Sequence, residues 1–276
     1  LCLQLATTYY VRVRQACGDG DFSEWCEPIF FSTASQVLPY IPTFGETAPT
    51  DWFFSNTKAA DVFNGTPMAS YTSSGYSGWQ MEQPDSVINA YHFLGDIYST
   101  WAYWAVTPAI DMTTSNGQGV ILSVDLALDD WSSAHTPAPA DLAGVDDRFL
   151  IAVSEDGGAT WNAADVAAEW NNTGSEYVYN DIPMYGTTYR IDLSRYVGKV
   201  VKIGFYGEST VSNADNDFHF GKIRVEAVEA TTYVDTICEG YSFNEHGFNI
   251  PYEDLQIGLN TFTRYESLPD GSMALT

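Results

Sequence analysis

Residues 147–161 read DRFLIAVSEDGGATW and combine a strand pattern with a turn pattern. The apolar run from Arg148 to Val153 is typical of a β-strand in a core. In the turn that follows, the Asp156 side chain can accept backbone N–H groups, Gly158 can supply a positive φ, and Trp161 can pack underneath. The sequence therefore predicts a strand that ends in a tight hairpin turn.

Strand patterns of the same kind recur on both sides of this run. They cover Gly119 to Leu128, Tyr189 to Leu193 and Val201 to Phe205, and Gly, Pro, Asn or Asp turns separate them. One helical candidate, Ala163 to Trp170, is alanine-rich but short, and we expect it to be a single-turn decoration. The sequence predicts an all-β fold.

Composition narrows the classes of partner. The 276 residues include 11 basic and 36 acidic side chains, which gives a net charge of −25, and 45% of the chain is hydrophobic. The apolar content is enough for a large core, so the acidity is not that of a disordered tail. The electrostatic field of this negative charge repels phosphate backbones and anionic lipid headgroups, which argues against nucleic-acid and membrane-surface binding.

The first 34 residues have an alternating pattern of their own. Residues 3–13 alternate, Gly18, Asp19 and Gly20 form a turn signal, and 28–33 read PIFFST. This pattern resembles the last two strands of a fibronectin type III domain. We place that partial domain at 1–34 and a linker at 35–42, where two prolines interrupt the strand pattern.

Residues 43–228 carry the main resemblance, through an ordered succession of short phrases. These phrases are FGE at 44–46 with Trp52, WAVTPAID at 104–111, the strand 120–128, the run 147–161, RIDLS at 190–194 and the strand 218–225. The succession resembles the jelly-roll domain of cleaved adhesins of Bacteroidetes, which is related to MAM and choice-of-anchor domains. The resemblance implies a two-sheet antiparallel sandwich, extracellular display and a role in adhesion or ligand binding. Residues 229–276 resemble the start of a small β module.

Calcium is the metal that the sequence favours. Between Arg14 and Arg148 the sequence has many acidic residues and a single lysine or arginine, Lys58. Most of these carboxylates therefore have no basic partner, and such oxygen ligands suit Ca²⁺. The resemblance points to Glu46 and to Asp215 and Asp217 as ligands, where the first and last strands meet. The family's usual paired aspartates correspond here to Gly221 and Lys222. An acidic surface without a metal is the alternative.

Cys17 and Cys26 would flank the turn of the N-terminal hairpin. A cross-strand disulfide there would contribute roughly 2 to 3 kcal/mol in an oxidising compartment. The alternative is a pair of free thiols.

The tryptophans fall into two groups. Trp104, Trp161 and Trp170 lie in or beside apolar patterns and are expected in the core. Trp52 and Trp131 lie near turn residues, and Trp131 precedes a Ser-, Ala- and Pro-rich loop. We expect these two rings to be exposed and to bind ligand, because binding residues concentrate on loops.

The sequence motifs give little support for a catalytic function. Residues 154–161 match one Asp-box, but a sialidase also needs three arginines to bind a carboxylate. The adjacent pairs Asp129–Asp130 and Asp146–Asp147 are interpreted as solvated charges rather than glycosidase acids. The four histidines lie far apart in sequence, which does not favour zinc or nucleophilic chemistry, and His219 is interpreted as an ordinary hydrogen-bonded strand histidine.

The sequence thus predicts a non-enzymatic adhesion or ligand-binding module for an extracellular glycan or protein. We expect it to be calcium-stabilised and to belong to a secreted or surface-anchored polypeptide with neighbouring domains. Two alternatives remain open, an accessory domain of an exported protease or glycoside hydrolase and a structural spacer of a surface stalk.

Overall fold

The structure is a computed structural model that describes residues 8–32, 35–44, 50–75, 77–81, 90–95, 99–131, 147–172, 178–209, 215–267 and 273–276. The first nine strands are β1 (Thr8–Val11), β2 (Ala16–Gly18), β3 (Asp21–Phe22), β4 (Ile29–Ser32), β5 (Gln36–Val37), β6 (Phe53–Ser55), β7 (Gln80–Met81), β8 (Ala90–Gly95) and β9 (Trp101–Val106). The others are β10 (Ile110–Asp111), β11 (Gly119–Asp130), β12 (Arg148–Ser154), β13 (Val166–Asn171), β14 (Thr187–Asp192), β15 (Val200–Ser209), β16 (Asn216–Ala230), β17 (Tyr265–Ser267) and β18 (Met273–Leu275).

Helical structure is short. One α-helix, α1 (Ala59–Phe63), and 3₁₀ turns at Met112–Ser115, Ala163–Asp165, Tyr179–Asp181, Ser194–Tyr196 and Tyr252–Asp254 complete the described elements. None of the helices in these ranges is long and apolar enough to cross a membrane.

The strands form two large sheets. In the first, β15 lies between β12 and the collinear strands β9 and β10, with β13, β6 and β5 at the edges. In the second, β11 pairs with β14 and β16, and the far edge of β16 pairs with β8 at one end and β18 at the other. All these pairings are antiparallel except β5 with β10 and β16 with β18. The all-β, two-sheet sandwich expected from the sequence is confirmed.

Aromatic side chains from both sheets fill the space between them. Phe149 of β12 lies 4.5 Å from Phe218 of β16 between ring centroids, and Phe205 of β15 stacks on Phe220 at 4.8 Å. Trp79 packs edge-on against Phe220 at 4.8 Å. These rings alternate along their strands with residues of the opposite face, so the period-2 pattern of the sequence decides which side chains enter the core.

A smaller apolar cluster lies on the outer face of the first sheet, under α1. It contains Trp104, Trp161 and Tyr206 with Ala59 and Val62 of the helix. Trp104 and Trp161 are buried in this cluster, and Trp170 is buried in the main core between the sheets. The prediction that these three tryptophans are buried is confirmed.

The turn at 154–161 forms as the sequence predicts. An Asp156 carboxylate oxygen accepts the Thr160 backbone N–H at 2.9 Å, and the Ser154 hydroxyl accepts the Gly158 N–H at 2.9 Å. Gly157 and Gly158 have φ values of 75° and 88°, which side chains with a Cβ rarely adopt. Partial burial acts to raise the pKa of Asp156, but its hydrogen bonds with Thr160 and Ser154 outweigh this and lower the pKa.

The structure corrects two local predictions. The single turn expected within 163–170 is present at Ala163–Asp165, but the residues after it form β13. Pairing with β12 places Trp170 opposite Phe149 in the core, and this packing outweighs the alanine propensity. The expected linker at 35–42 is part of the sandwich. It contributes β5, and buried Tyr40 exchanges two backbone hydrogen bonds with Val225.

The expected disulfide between Cys17 and Cys26 is not formed, and both are exposed free thiols. The hairpin register explains this. Ala16 lies opposite Phe22, whereas the Cys26 N–H donates to the Val13 carbonyl at 2.9 Å. The two cysteines are therefore about four residues apart along the ladder, or about 13 Å. This distance exceeds the limit of about 7 Å between the Cα atoms of a disulfide. The strand pair β1–β4 is present, and its assignment to a fibronectin type III domain stays a prediction.

We expect Asp156→Ala to lower the free energy of unfolding by about 1–2 kcal/mol and the melting temperature by about 2–8 °C, because it removes the acceptor that closes the turn. Glu155→Ala is the matched control, since Glu155 forms an exposed ion pair with Lys199 and such pairs contribute little. Urea titrations of both variants and the wild type measure the difference.

The same titrations carry a pH test. Because the pKa of Asp156 is lowered from 3.8 in the folded protein, its carboxylate stabilises the fold above that value and loses this contribution as the pH falls through the folded pKa. The gap between wild type and Asp156→Ala should therefore narrow in strong acid. A gap that widens there would contradict the assigned role.

Candidate functional site

Four buried polar residues, Asp129, Asp147, Asn216 and His219, lie at one end of the sandwich. Here β11 ends at Asp130 and β16 begins at Asn216, and the ladder pairs Asp129 with Asp217 and Asp130 with Asn216. We call this region the acidic end. It also includes the start of β12, Asp147 and Tyr179, which are hydrogen-bonded to Asn216, and His219, which is hydrogen-bonded to Asp129.

On the outer face of the second sheet, Asp129, Asp217 and His219 lie together. The Asp129 Oδ1 and His219 Nε2 atoms are 2.7 Å apart, and one donor atom from each of the three residues lies within 4.8 Å of the others. Asp129 is 1% exposed and His219 is 3% exposed. Their neighbours Leu128, Phe218 and Phe220 point into the core, so strand alternation sets the three polar side chains on the opposite face.

A second histidine lies on the same face. His92 of β8 is the register partner of His219, and their ring centroids are 5.8 Å apart. The patch formed by three neighbouring strands therefore presents two imidazoles and two carboxylates, which are common ligands for metal ions.

Between the sheets, the acidic end holds a separate network. The Asn216 amide donates to a carboxylate oxygen of Asp147 at 2.8 Å, and the Tyr179 hydroxyl donates to the Asn216 amide oxygen at 3.3 Å. All three side chains are buried, and the Tyr179 ring stacks on Phe218 at 5.6 Å. The network thus fixes a buried carboxylate directly beside the aromatic core.

The rim of the acidic end combines an ion pair with an exposed ring. Arg148 donates to Glu208 at 2.8 Å and also contacts Glu169 at 3.4 Å. Burial acts to lower the pKa of Arg148, but attraction to Glu208 outweighs it and raises the pKa. Trp131, which follows Asp130 directly, is 61% exposed.

The structure separates the predicted site residues. Asp217 lies beside Asp129 and His219. Asp215, two residues before Asp217, is half-buried, and Glu46 lies outside the described residues. Calcium binding by these residues therefore stays a prediction. Lys222 pairs with Asp125 at 2.8 Å. Trp131 is exposed as expected, and its role in binding stays a prediction.

The prediction that Trp52 is exposed is wrong. Its ring is 6% exposed, stacks on Phe205 at 5.9 Å, and donates from Nε1 to the Tyr40 hydroxyl at 3.1 Å. Nearby turn residues suggested a loop, but the ring turns inward to the aromatic core, where burial of its large surface is favourable.

Sequence reasoning missed Asp129 and Asp147, which it interpreted as solvated charges although both are buried. His219 is hydrogen-bonded as expected, but its carboxylate partner was not foreseen. The alternation Leu126-Ala127-Leu128-Asp129 already places Asp129 away from the core, and the alternation around Phe218 does the same for His219. Only the strand register brings the two together.

Comparison with known proteins gives distant matches. No family model and no curated relative matches the sequence. Among solved structures, the K3 cleaved adhesin domain of Lys-gingipain from Porphyromonas gingivalis is 11% identical with a TM-score of 0.36, and the match covers 68% of this chain and 98% of that chain. A carbohydrate-binding module solved with β-1,4-galactotriose is 11% identical with a TM-score of 0.32, and coverage is 64% and 89%.

A third match is the glycoside hydrolase domain of Endo-D from Streptococcus pneumoniae. It is 16% identical with a TM-score of 0.32, and the match covers 50% of this chain but 18% of that chain. At these values the comparisons assign no ligand to the acidic end.

We expect Asn216→Ala to lower the free energy of unfolding by about 2–4 kcal/mol, because it removes the amide that donates to the buried carboxylate of Asp147. Glu229→Ala, at an exposed position of the same strand, is the control and should change stability by less than about 1 kcal/mol. Equal losses for the two variants would show that the network does not stabilise this end.

Proposed function

We propose that this chain is an extracellular, non-enzymatic glycan-binding module whose contact surface is the acidic end. The observation that carries the proposal is the 61% exposure of the Trp131 ring beside the half-buried carboxylates of Asp130 and Asp217, at the end of β11 and the start of β16. Sugars present C–H groups to flat aromatic rings, while carboxylates accept hydrogen bonds from sugar hydroxyls.

Rigid support favours this end as a binding surface. Asp129 and Asp217 are direct partners in the ladder between β11 and β16, and the Asp147–Asn216 pair is packed against the core. Groups held by strands are placed more precisely than groups on loops, so little ordering would be needed when a ligand binds. The acidic surface also disfavours anionic ligands, so we expect the glycan to be neutral or basic.

Two grooves in the described part of the chain lie away from the acidic end, and neither contains a pair of carboxylates. One groove of about 350 Å³ is lined by residues 36, 37, 39–43, 51 and 52, and Asp51 is its single carboxylate. A second is lined by Tyr10, Arg12, Trp25 and Pro28 and has none. A two-acid glycosidase needs a pair of carboxyl groups that flank the substrate.

Trp131→Ala tests the proposal on a glycan array. Loss of a central stacking ring should weaken binding about 10- to 100-fold without changing the melting temperature. Trp25→Ala is the matched control, because Trp25 is also about half exposed but lies on the N-terminal hairpin. It should bind like the wild type.

Three results would contradict the proposal. Trp131→Ala could bind glycan as tightly as the wild type, Trp131→Ala and Trp25→Ala could lose the same glycan affinity, or the wild type could bind no glycan. The last result, together with binding to an immobilised protein that Trp131→Ala abolishes, would assign the surface to a protein ligand. If neither a glycan nor a protein binds, the alternative function as a structural spacer of a surface stalk is favoured.

A further inference from the structure

The outer-face cluster of Asp129, Asp217 and His219 has the composition of a metal site. Its three donor atoms come from adjacent positions on β11 and β16 and lie within 4.8 Å of one another. Asp129 and Asp217 are direct ladder partners, and His219 is two residues from Asp217 on the same face. The strand backbone therefore holds all three side chains towards one point.

The donor types favour one class of metal. Calcium and magnesium are bound by oxygen ligands, whereas imidazole nitrogen combined with carboxylate suits Zn²⁺ and related ions. We propose that Asp129, Asp217 and His219 form a binding site for a divalent transition-metal cation of the Zn²⁺ type. Three protein ligands leave the fourth position of a tetrahedral ion for water. His92 is the register partner of His219, and the two ring centroids are 5.8 Å apart.

The present geometry shows what the ion would replace. The 2.7 Å between Asp129 Oδ1 and His219 Nε2 is a hydrogen-bond distance, so a proton lies between these atoms. Ligands of one tetrahedral Zn²⁺ are about 3.3–3.6 Å apart, since each lies about 2.0–2.2 Å from the metal. Binding therefore requires small side-chain shifts and replaces this hydrogen bond by two bonds to the ion.

The ion would also have a structural effect. It would link β11 to β16 two residues before Trp131 and would turn repulsion between the carboxylates of Asp129 and Asp217 into attraction to a common cation. This inference goes beyond the glycan-binding function and does not depend on it, because metal binding is measured without any glycan.

Isothermal titration of the full chain with Zn²⁺, after chelator treatment, tests the site. We expect one ion per chain whose affinity falls at least about tenfold in Asp217→Asn and in His219→Gln. The first control is Asp215→Asn, which leaves the three donors in place. The second is His246→Gln, which removes the exposed pair of His246 with Asp235. Both controls should bind as the wild type does.

Two further measurements keep the result independent of misfolding. Co²⁺ bound to the wild type should give the intense visible absorption of tetrahedral coordination, and this signal should be absent in Asp217→Asn. A 100-fold excess of Zn²⁺ over its dissociation constant should raise the melting temperature of the wild type by about 5–10 °C.

The proposal is overturned if Zn²⁺ does not bind, if Asp215→Asn or His246→Gln removes the binding, or if Ca²⁺ binds and Zn²⁺ does not compete with it. The last result would assign the site to calcium.

Discussion

The pairing of β11 with β16 is the constraint on which the rest of the structure depends. This ladder runs from Gly119–Val228 to Asp130–Asn216 and is interrupted by one irregularity between Ser123 and Asp125. Its inner face supplies Leu126, Leu128 and the two phenylalanines of β16 to the core. Its outer face supplies Asp129, Asp217 and His219. A shift of the register by one residue would exchange these two sets, so core packing and site geometry are decided together.

The core explains why buried charge is tolerated at the acidic end. Rings from both sheets pack at 4.5–4.8 Å between centroids, and this burial supplies the main favourable free energy. Polar groups next to it must form hydrogen bonds, as Asp147 does with Asn216 and Asp129 does with His219. The acidic end is therefore a rigid edge of the core that carries polar chemistry, and Trp131 extends from this edge into solvent.

The sequence was sufficient for features that depend on local patterns. Alternation predicted the strands, and the Asp156 turn follows from the side-chain chemistry of eight consecutive residues. Features that depend on distant partners were not accessible. The alanines at 163–168 favour a helix until β12 offers a pairing edge, and Trp52 looks exposed until the aromatic core is assembled around it. Asp129 and His219 are 90 residues apart, and no local signal reports that their strands are neighbours.

A double-mutant cycle on Asp129 and His219, measured by urea unfolding in the presence of chelator, tests this account most directly. If β11 and β16 pair as described, Asp129→Asn and His219→Gln interact, and their combined effect departs from the sum of the single effects by at least about 1 kcal/mol. Additivity within about 0.5 kcal/mol would mean that the two side chains are not in contact and would contradict the register that the structure assigns.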